Sequence, residues 1–281
     1  IQVVDLLDNR NYGDREKAML AFGGAVYDEI TYNTDKVLND KQLAFLKKNT
    51  LFNIEDTRST REAYASLDKG NWGNLPGTLA EVDAIAKIVE GTSVLRGRSV
   101  SEQNIKNMSE VGELEKYKVL HFATHGLTVP DFPELSAIVL SQFQEEHENQ
   151  DGYLRMDEIA ELKIKADFVN LSACETGLGK IYGGEGVVGL IQSFLIAGAN
   201  SVSASLWSVE DSSTSKFMVG VYQLVKEKGL TYAKAINEMK RAFIRGQVSV
   251  DDFDLSHGVE MENPMNSQPN KLSHPFYWAP F

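Results

Sequence analysis

The sequence predicts an α/β fold in which a mostly parallel central sheet carries helices on both faces. Strand-like and helix-like segments alternate along the chain, as they do when crossover helices link parallel strands. The two segments richest in β-formers, KVLHFAT (118–124) and ADFVNLS (166–172), are apolar on both faces, the pattern of strands covered from both sides. The 281 residues suffice for one large or two small domains with a substantial core.

Upstream, IQVVDLL (1–7) and MLAFGGAVY (19–27) are apolar runs with turn residues beside them. A polar stretch over roughly 47–74, carrying KKN, EDTRSTRE and DKGNWGN, is the candidate internal boundary. Thr78 followed three residues later by Glu81 reads as a capping box, opening a helix with Val82, Ile85 and Val89 on one face. TSVLRG (92–97) reads as a short strand, SEQNIKNMSEV (101–111) as a helix, and SAIVLS (136–141) as a further β-rich segment. Gly184 to Ala199 is apolar almost all round, which predicts a buried helix. NSVSASLW (200–207) is another strand, followed by helices at about 211–228 and 231–245, the second capped by Thr231. Residues 246–273, with Pro264 and Pro269 and no clear period, read as a mobile loop. HPFYWAPF (274–281) is too aromatic for a free tail and is expected to dock on the core.

Composition removes several function classes. A formal charge of −12 offers no basic field to a phosphate backbone, so direct nucleic-acid binding is disfavoured and any such link needs a partner. The single cysteine, Cys174, excludes an intrachain disulfide and a cysteine-rich zinc site, and fits a reducing, cytoplasmic compartment. The longest near-apolar stretch, Val187 to Ala199, is broken by Gln192 and Ser193 and falls short of the roughly 20 residues that span a bilayer. The chain starts at Ile1 with no basic n-region, so it reads as a fragment or processed form.

The chemistry concentrates at two strand ends. KVLHFAT runs into His125-Gly126, and ADFVNLS runs into Ala173-Cys174. In an open α/β sheet, reacting groups collect at the carboxyl ends of the strands, where loops and helix N-termini leave a crevice. If the two strands are neighbours or near-neighbours, an imidazole and a thiol meet there. The imidazole can take the thiol proton and later hand it to a leaving amine, while Gly126 and Gly177 let substrate backbone approach and inward-pointing amides serve as an oxyanion hole. That set is enough for acyl transfer. The alternative is plain packing, since free cysteine is among the most buried residue types. His121, inside the strand, reads as a satisfied core histidine; His147, His257 and His274 suggest nothing specific. Gly184-x-Gly186-x-x-Gly189 matches a dinucleotide fingerprint but begins well past its strand, so it reads as helix entry and close packing. Glu145, Glu146, Glu148 and Asp151 around His147 read as a solvated loop rather than a metal site.

VLHFATHG (119–126), VNLSACETGLG (169–179), the block over 183–211 and HPFYWAPF (274–281) resemble the signature blocks of the CHAT domain, a caspase- and separase-like cysteine peptidase family; LPGTLAEVDAI (75–85) resembles its leading helix. The resemblance spans roughly 70–281 and implies a caspase-like three-layer fold, with 1–70 as a leading segment and 71–281 as the peptidase domain. Caspases place the catalytic histidine about 50 residues before Gln-Ala-Cys; here Ser172-Ala173-Cys174 follows His125 by 174 − 125 = 49. By this resemblance His125 is the general base and acid, Cys174 the nucleophile, and the amides of Gly126 and Cys174 the oxyanion hole. No metal or other cofactor is implied. The expected partners are a protein substrate and either a regulatory protein, as in partner-released defence or CRISPR-associated members, or a fused TPR region.

The same family places the substrate P1 side chain beside NSVSASLW and its following turn, which offers Trp207, Glu210 and Asp211. The acids favour a basic P1 residue and Trp207 a large apolar one, and both options stay open. Asp211 also reads as the N-cap of a helix over 212–228. The rival reading from another class is a catalytically silent regulatory or scaffolding module that uses loops 142–152 and 246–273 for docking.

Overall fold

The computed structural model describes residues 10–27, 61, 64–65, 70–129, 132–142, 150–172, 185–207 (185–188 by backbone alone), 209–249, 255, 259, 261 and 269–281. Its main sheet holds five parallel strands: β1 (Lys17–Gly23), β2 (Thr92–Arg96), β3 (Tyr117–Phe122), β7 (Phe168–Leu171) and β8 (Val202–Ala204). They run in the order β2-β1-β3-β7-β8. A second sheet of three short antiparallel strands, β4 (His125–Leu127), β5 (Ala137–Val139) and β6 (Tyr153–Arg155), leaves the main one directly after β3. The expected mostly parallel sheet is therefore present, and the SAIVLS segment belongs to this second sheet.

Helices cover both faces, because side chains along each strand alternate between two apolar layers. Leu20, Phe22, Leu120, Phe122, Val169 and Leu171 join one core. Over it lie the second sheet, α2 (Glu102–Glu110), α3 (Met156–Glu161) and α4 (Glu185–Ala197). Met19, Ala21, Val119 and Phe168 join the other, under α1 (Pro76–Ile88), α5 (Asp211–Lys228) and α6 (Tyr232–Ile244). Each fully buried Leu, Phe or Met here contributes about 1.5–3 kcal/mol of transfer free energy. This three-layer arrangement is the caspase-like architecture.

Several expectations need correcting. The helix over 76–88 is not opened by a Thr78/Glu81 capping box. Pro76 starts it, the Thr78 hydroxyl donates to the Leu75 carbonyl and accepts from the Gly24 amide, and the Glu81 side chain turns inward to the sheet. Helix α4 is not buried all round, since Ile196 is 63% exposed and Gln192 is exposed as well; uniform apolarity does not say which face meets the sheet. The described residues of the 246–273 segment are docked rather than loose: Val248, Leu255, Val259 and Leu272 are buried, and the Val259 amide donates to Gln223 of α5. Within the polar 47–74 stretch, Tyr64 and Arg61 are buried, with the Tyr64 ring stacked on Tyr153 and its hydroxyl donating to the Leu135 carbonyl. The expected docking of the C-terminal aromatics is present, with Phe281 stacked on Phe217.

Asp151 is likewise no solvated acid. It is buried, it pairs with Arg155, and it accepts from the Tyr153 amide. Beside it the Glu102 carboxyl is bound by Lys106 and the Gly152 amide. Burial, with Asp151 and Glu158 nearby, pushes Glu102 up from 4.5 to about 7, against the pull of Lys106. The other members of that acidic run, at 145–148 with His147, lie outside the described residues.

Two tests follow from this architecture. Gly198, with φ +126°, sits where an added Cβ would come within 1.9 Å of the Ile164 carbonyl oxygen, whereas at Gly112 (φ +72°) nothing lies within 4 Å. Gly112→Ala should cost only about 1–2 kcal/mol of left-handed backbone strain. Gly198→Ala should cost more, and denaturant midpoints of the two variants measure the difference. For Glu102 the folded state holds its proton to higher pH than the unfolded chain, so its contribution is complete below about 4.5 and is lost as pH rises to about 7. Denaturation of wild type and Glu102→Gln across that window should show the variant gaining relative stability as pH rises.

Candidate active site

The strand order reverses direction around β1 and β3, because the chain goes from β1 outward to β2 and then crosses to β3 and beyond. The carboxyl ends at such a switch point leave a crevice. His125 stands there, the third residue past the end of β3 and the first of β4, paired across to Val139. It is 5% exposed. Its Nε2 lies 2.7 Å from the Gly73 carbonyl oxygen. A carbonyl only accepts, so Nε2 carries the proton and the basic nitrogen of the neutral ring is Nδ1. Two aromatics tilt against the ring, Tyr27 with centroids 5.0 Å apart and Trp72 at 4.9 Å. Tyr27 is itself fixed by its hydroxyl bond to the Val139 carbonyl and its amide bond to Asn74. The loops after β1 and β3 and the approach to α1 thus converge on one imidazole.

Strands β3 and β7 are immediate neighbours, with Phe122 opposite Leu171, and the Ser172 amide donates to the Phe122 carbonyl at 2.8 Å. The condition set by the sequence, adjacency of the two strand ends, is met. Cys174 and Gly177 themselves lie outside the described residues. Gly126 follows His125 in β4, opposite Ile138.

The three substrate-binding candidates separate. Asp211 is not the N-cap of its own helix. Glu210 holds that position, α5 begins at Asp211, and the Asp211 carboxyl accepts from the Gly77 amide at 2.7 Å in the first turn of α1. One helix thereby supplies an anion to the unsatisfied amides of another. The approach is close enough that a Cβ on Gly77 would meet Asp211 Oδ2 at 2.3 Å. Burial pushes the Asp211 carboxyl up, the Gly77 bond pulls it back, Glu81 adds to the rise, and a charge on His125 lowers it, so the carboxyl and the imidazole share one field. Glu210 is exposed and pairs with Lys271 at 3.0 Å, and Trp207 donates its Nε1 proton to the Phe276 carbonyl at 3.1 Å. These two residues brace the C-terminal segment.

Beneath the site lies a polar cluster between the sheet and the α1/α5 layer. His121, fully buried, as expected of a core histidine, has Nε2 2.9 Å from Glu81 Oε1. Its Nδ1 accepts from the Tyr222 hydroxyl at 3.0 Å and from Asn170 Nδ2 at 3.1 Å. Burial pushes the Tyr222 hydroxyl well up, keeping its proton available to donate. The Ser172 hydroxyl donates to the same Glu81 oxygen. Among the described residues no group of His, Cys, Asp and Glu side chains is arranged to hold a metal.

A CHAT-domain family model matches residues 9–281. The chain belongs to the CHAT family. The match takes in β1 as well as the blocks that carried the resemblance. CHAT domains are a caspase-like peptidase family, and the parallel sheet flanked by helices agrees with that membership. No curated protein matches the chain. No described helix of this CHAT domain is long and apolar enough to cross a membrane.

Sequence reasoning missed the Gly73 carbonyl, because any residue supplies one. It also missed the aromatic pair of Tyr27 and Trp72. The only cue to the latter was two large rings, Trp72 within a turn-like stretch and Tyr27 at the end of an apolar run.

Proposed function

We propose that this CHAT domain is a cysteine endopeptidase that cuts protein substrates through a His125/Cys174 dyad. The observation that carries the reading is the imidazole of His125. It stands at the carboxyl end of β3, beside the strand that leads into Ser172-Ala173-Cys174, and its Nε2 proton is committed to the Gly73 carbonyl. That bond leaves Nδ1 as the nitrogen that exchanges a proton with the thiol. In the proposed cycle the Cys174 thiolate attacks the scissile carbonyl carbon, and the amides of Gly126 and Cys174 take the charge on its oxygen. The imidazolium gives its proton to the leaving amine as the C–N bond breaks, leaving a thioester. Water, deprotonated by the same imidazole, then releases the acid and restores the thiol.

In the cell this module is proposed to work within a longer, partner-regulated protein, controlled by a fused TPR region or a defence-related protein partner, in the cytoplasm. Asp211 is proposed as the acidic wall for a basic P1 side chain, supported by its half-buried carboxyl in the same field as His125. Trp207 and Glu210 are proposed as outer contacts of the substrate.

Cleavage of a protein or peptide substrate should be lost in Cys174→Ala. A variant that keeps wild-type cleavage would remove the thiol from the mechanism. With only one cysteine in the chain, iodoacetamide uptake reports Cys174 alone. Uptake at neutral pH should be on the order of tenfold slower in His125→Ala, and equal rates would mean an exposed but unactivated thiol. A peptide library should show a basic P1 preference that Asp211→Asn weakens while keeping the acceptor for Gly77. An acidic P1 preference would contradict this account of the pocket.

A further inference from the structure

The polar cluster under the sheet sits where it can control both halves of the site. Glu81 is 1% exposed, and its carboxyl gathers partners from three other elements. Oε1 takes His121 Nε2 of β3 and the Ser172 hydroxyl at the end of β7, and Oε2 lies 3.2 Å from Ser215 Oγ of α5. Ser215 also reaches the Gly77 carbonyl in the first turn of α1, at 3.2 Å. Two covalent paths leave this node. From Ser172 the chain continues at once into Ala173-Cys174. From the first turn of α1 it runs back four residues to Gly73, whose carbonyl holds His125.

A buried carboxyl is expensive to desolvate, and packing alone would be served as well by an apolar side chain of similar size. What the carboxyl supplies is two acceptors with no donor, matched to an N–H and a hydroxyl that converge on a single oxygen. Tyr222 and Asn170 occupy the far nitrogen of His121 and so force its Nε2 proton toward Glu81. The chain of bonds is therefore directional, running from α5 through the imidazole to the carboxyl that receives Ser172.

We propose that Glu81 is a positioning residue which, through Ser172 and the first turn of α1, sets the strand end that carries Cys174 relative to the His125 imidazole. The proposal rests on the dyad reading given above. Glu81 touches no substrate in this scheme. Its effect is on the geometry of the pair, where a displacement of about 1 Å can cost on the order of a hundredfold in rate.

The test uses the full chain and three variants, Glu81→Gln, Ser172→Ala and His125→Ala, with three readouts: the pH profile of iodoacetamide uptake at Cys174, peptide cleavage resolved into kcat and KM, and the denaturation midpoint. Ser172→Ala removes the donor to Glu81 with the smallest change in volume, so it keeps the test valid if Glu81→Gln fails to fold. The expected result for folded Ser172→Ala is a shifted uptake profile and a kcat lowered on the order of tenfold or more, with KM within about twofold of wild type. Wild-type uptake and kcat in folded Ser172→Ala would overturn the positioning role, whether or not Glu81→Gln folds and whatever the midpoints. Failure of the dyad reading shows separately, as uptake unaffected by His125→Ala. In that event a Ser172→Ala shift in uptake still supports Glu81 as the residue that sets the Cys174 strand end, and an unshifted profile overturns it.

Discussion

Parallel pairing of β3 with β7 is the constraint from which the rest of the site follows. With Phe122 opposite Leu171 and the Ser172 amide on the Phe122 carbonyl, the two strands end level. Whatever follows each of them must leave from the same rim of the molecule. Period-two alternation then sorts the side chains: Phe122 and Leu171 go to one apolar layer, while His121 and Asn170 face the other. A slip of one residue would exchange the layers and put the imidazole of His121 among phenylalanines. The two cores therefore specify the register, and the register specifies the site.

Around that rim several polar groups find their partners on another element. Asp211 answers an amide of α1, Gly73 answers the imidazole of His125, and Glu81 answers His121 and Ser172. These bonds cross from one element to another, so they tie the layers together in one relative placement. The second polar cluster, at Glu102, Lys106, Asp151, Arg155 and Glu158, does the same on the opposite layer, linking α2, α3 and the second sheet.

Much of the fold could be read from the sequence, because strands buried on both faces and amphipathic helices leave local patterns. That His125 and Cys174 each come shortly after a strand-like run was readable too, but the side-by-side pairing of β3 and β7 stood in the sequence only as a condition, because strand order is not a local property. What escaped was non-local or carried by the backbone. Thr78 and Glu81 have capping-box spacing, yet Pro76 starts the helix earlier and frees Glu81 for the sheet. Asp151 sits among solvated-looking acids in sequence, and only the fold supplies Arg155 and burial. Asp211 stands at a helix start in sequence, but the amide it satisfies belongs to a helix more than a hundred residues earlier. The outward turn of Ile196 was invisible because a helix apolar on all sides carries no direction.

The short segment ahead of β1 has a role that its position in the chain conceals. Arg10 donates to the carbonyls of Leu195 and Ala199, and Tyr12 to that of Gly198, so this segment closes the C-terminal end of α4. Arg15 then pairs with Asp167 at the foot of β7. The first described residues are thus a strap laid across the layer that lies over β3 and β7. Trimming the molecule back to its first strand would strip the partners from three carbonyls at the end of α4 and unfasten the far layer, so a unit that keeps its shape has to include Arg10 and Tyr12 as well as Lys17.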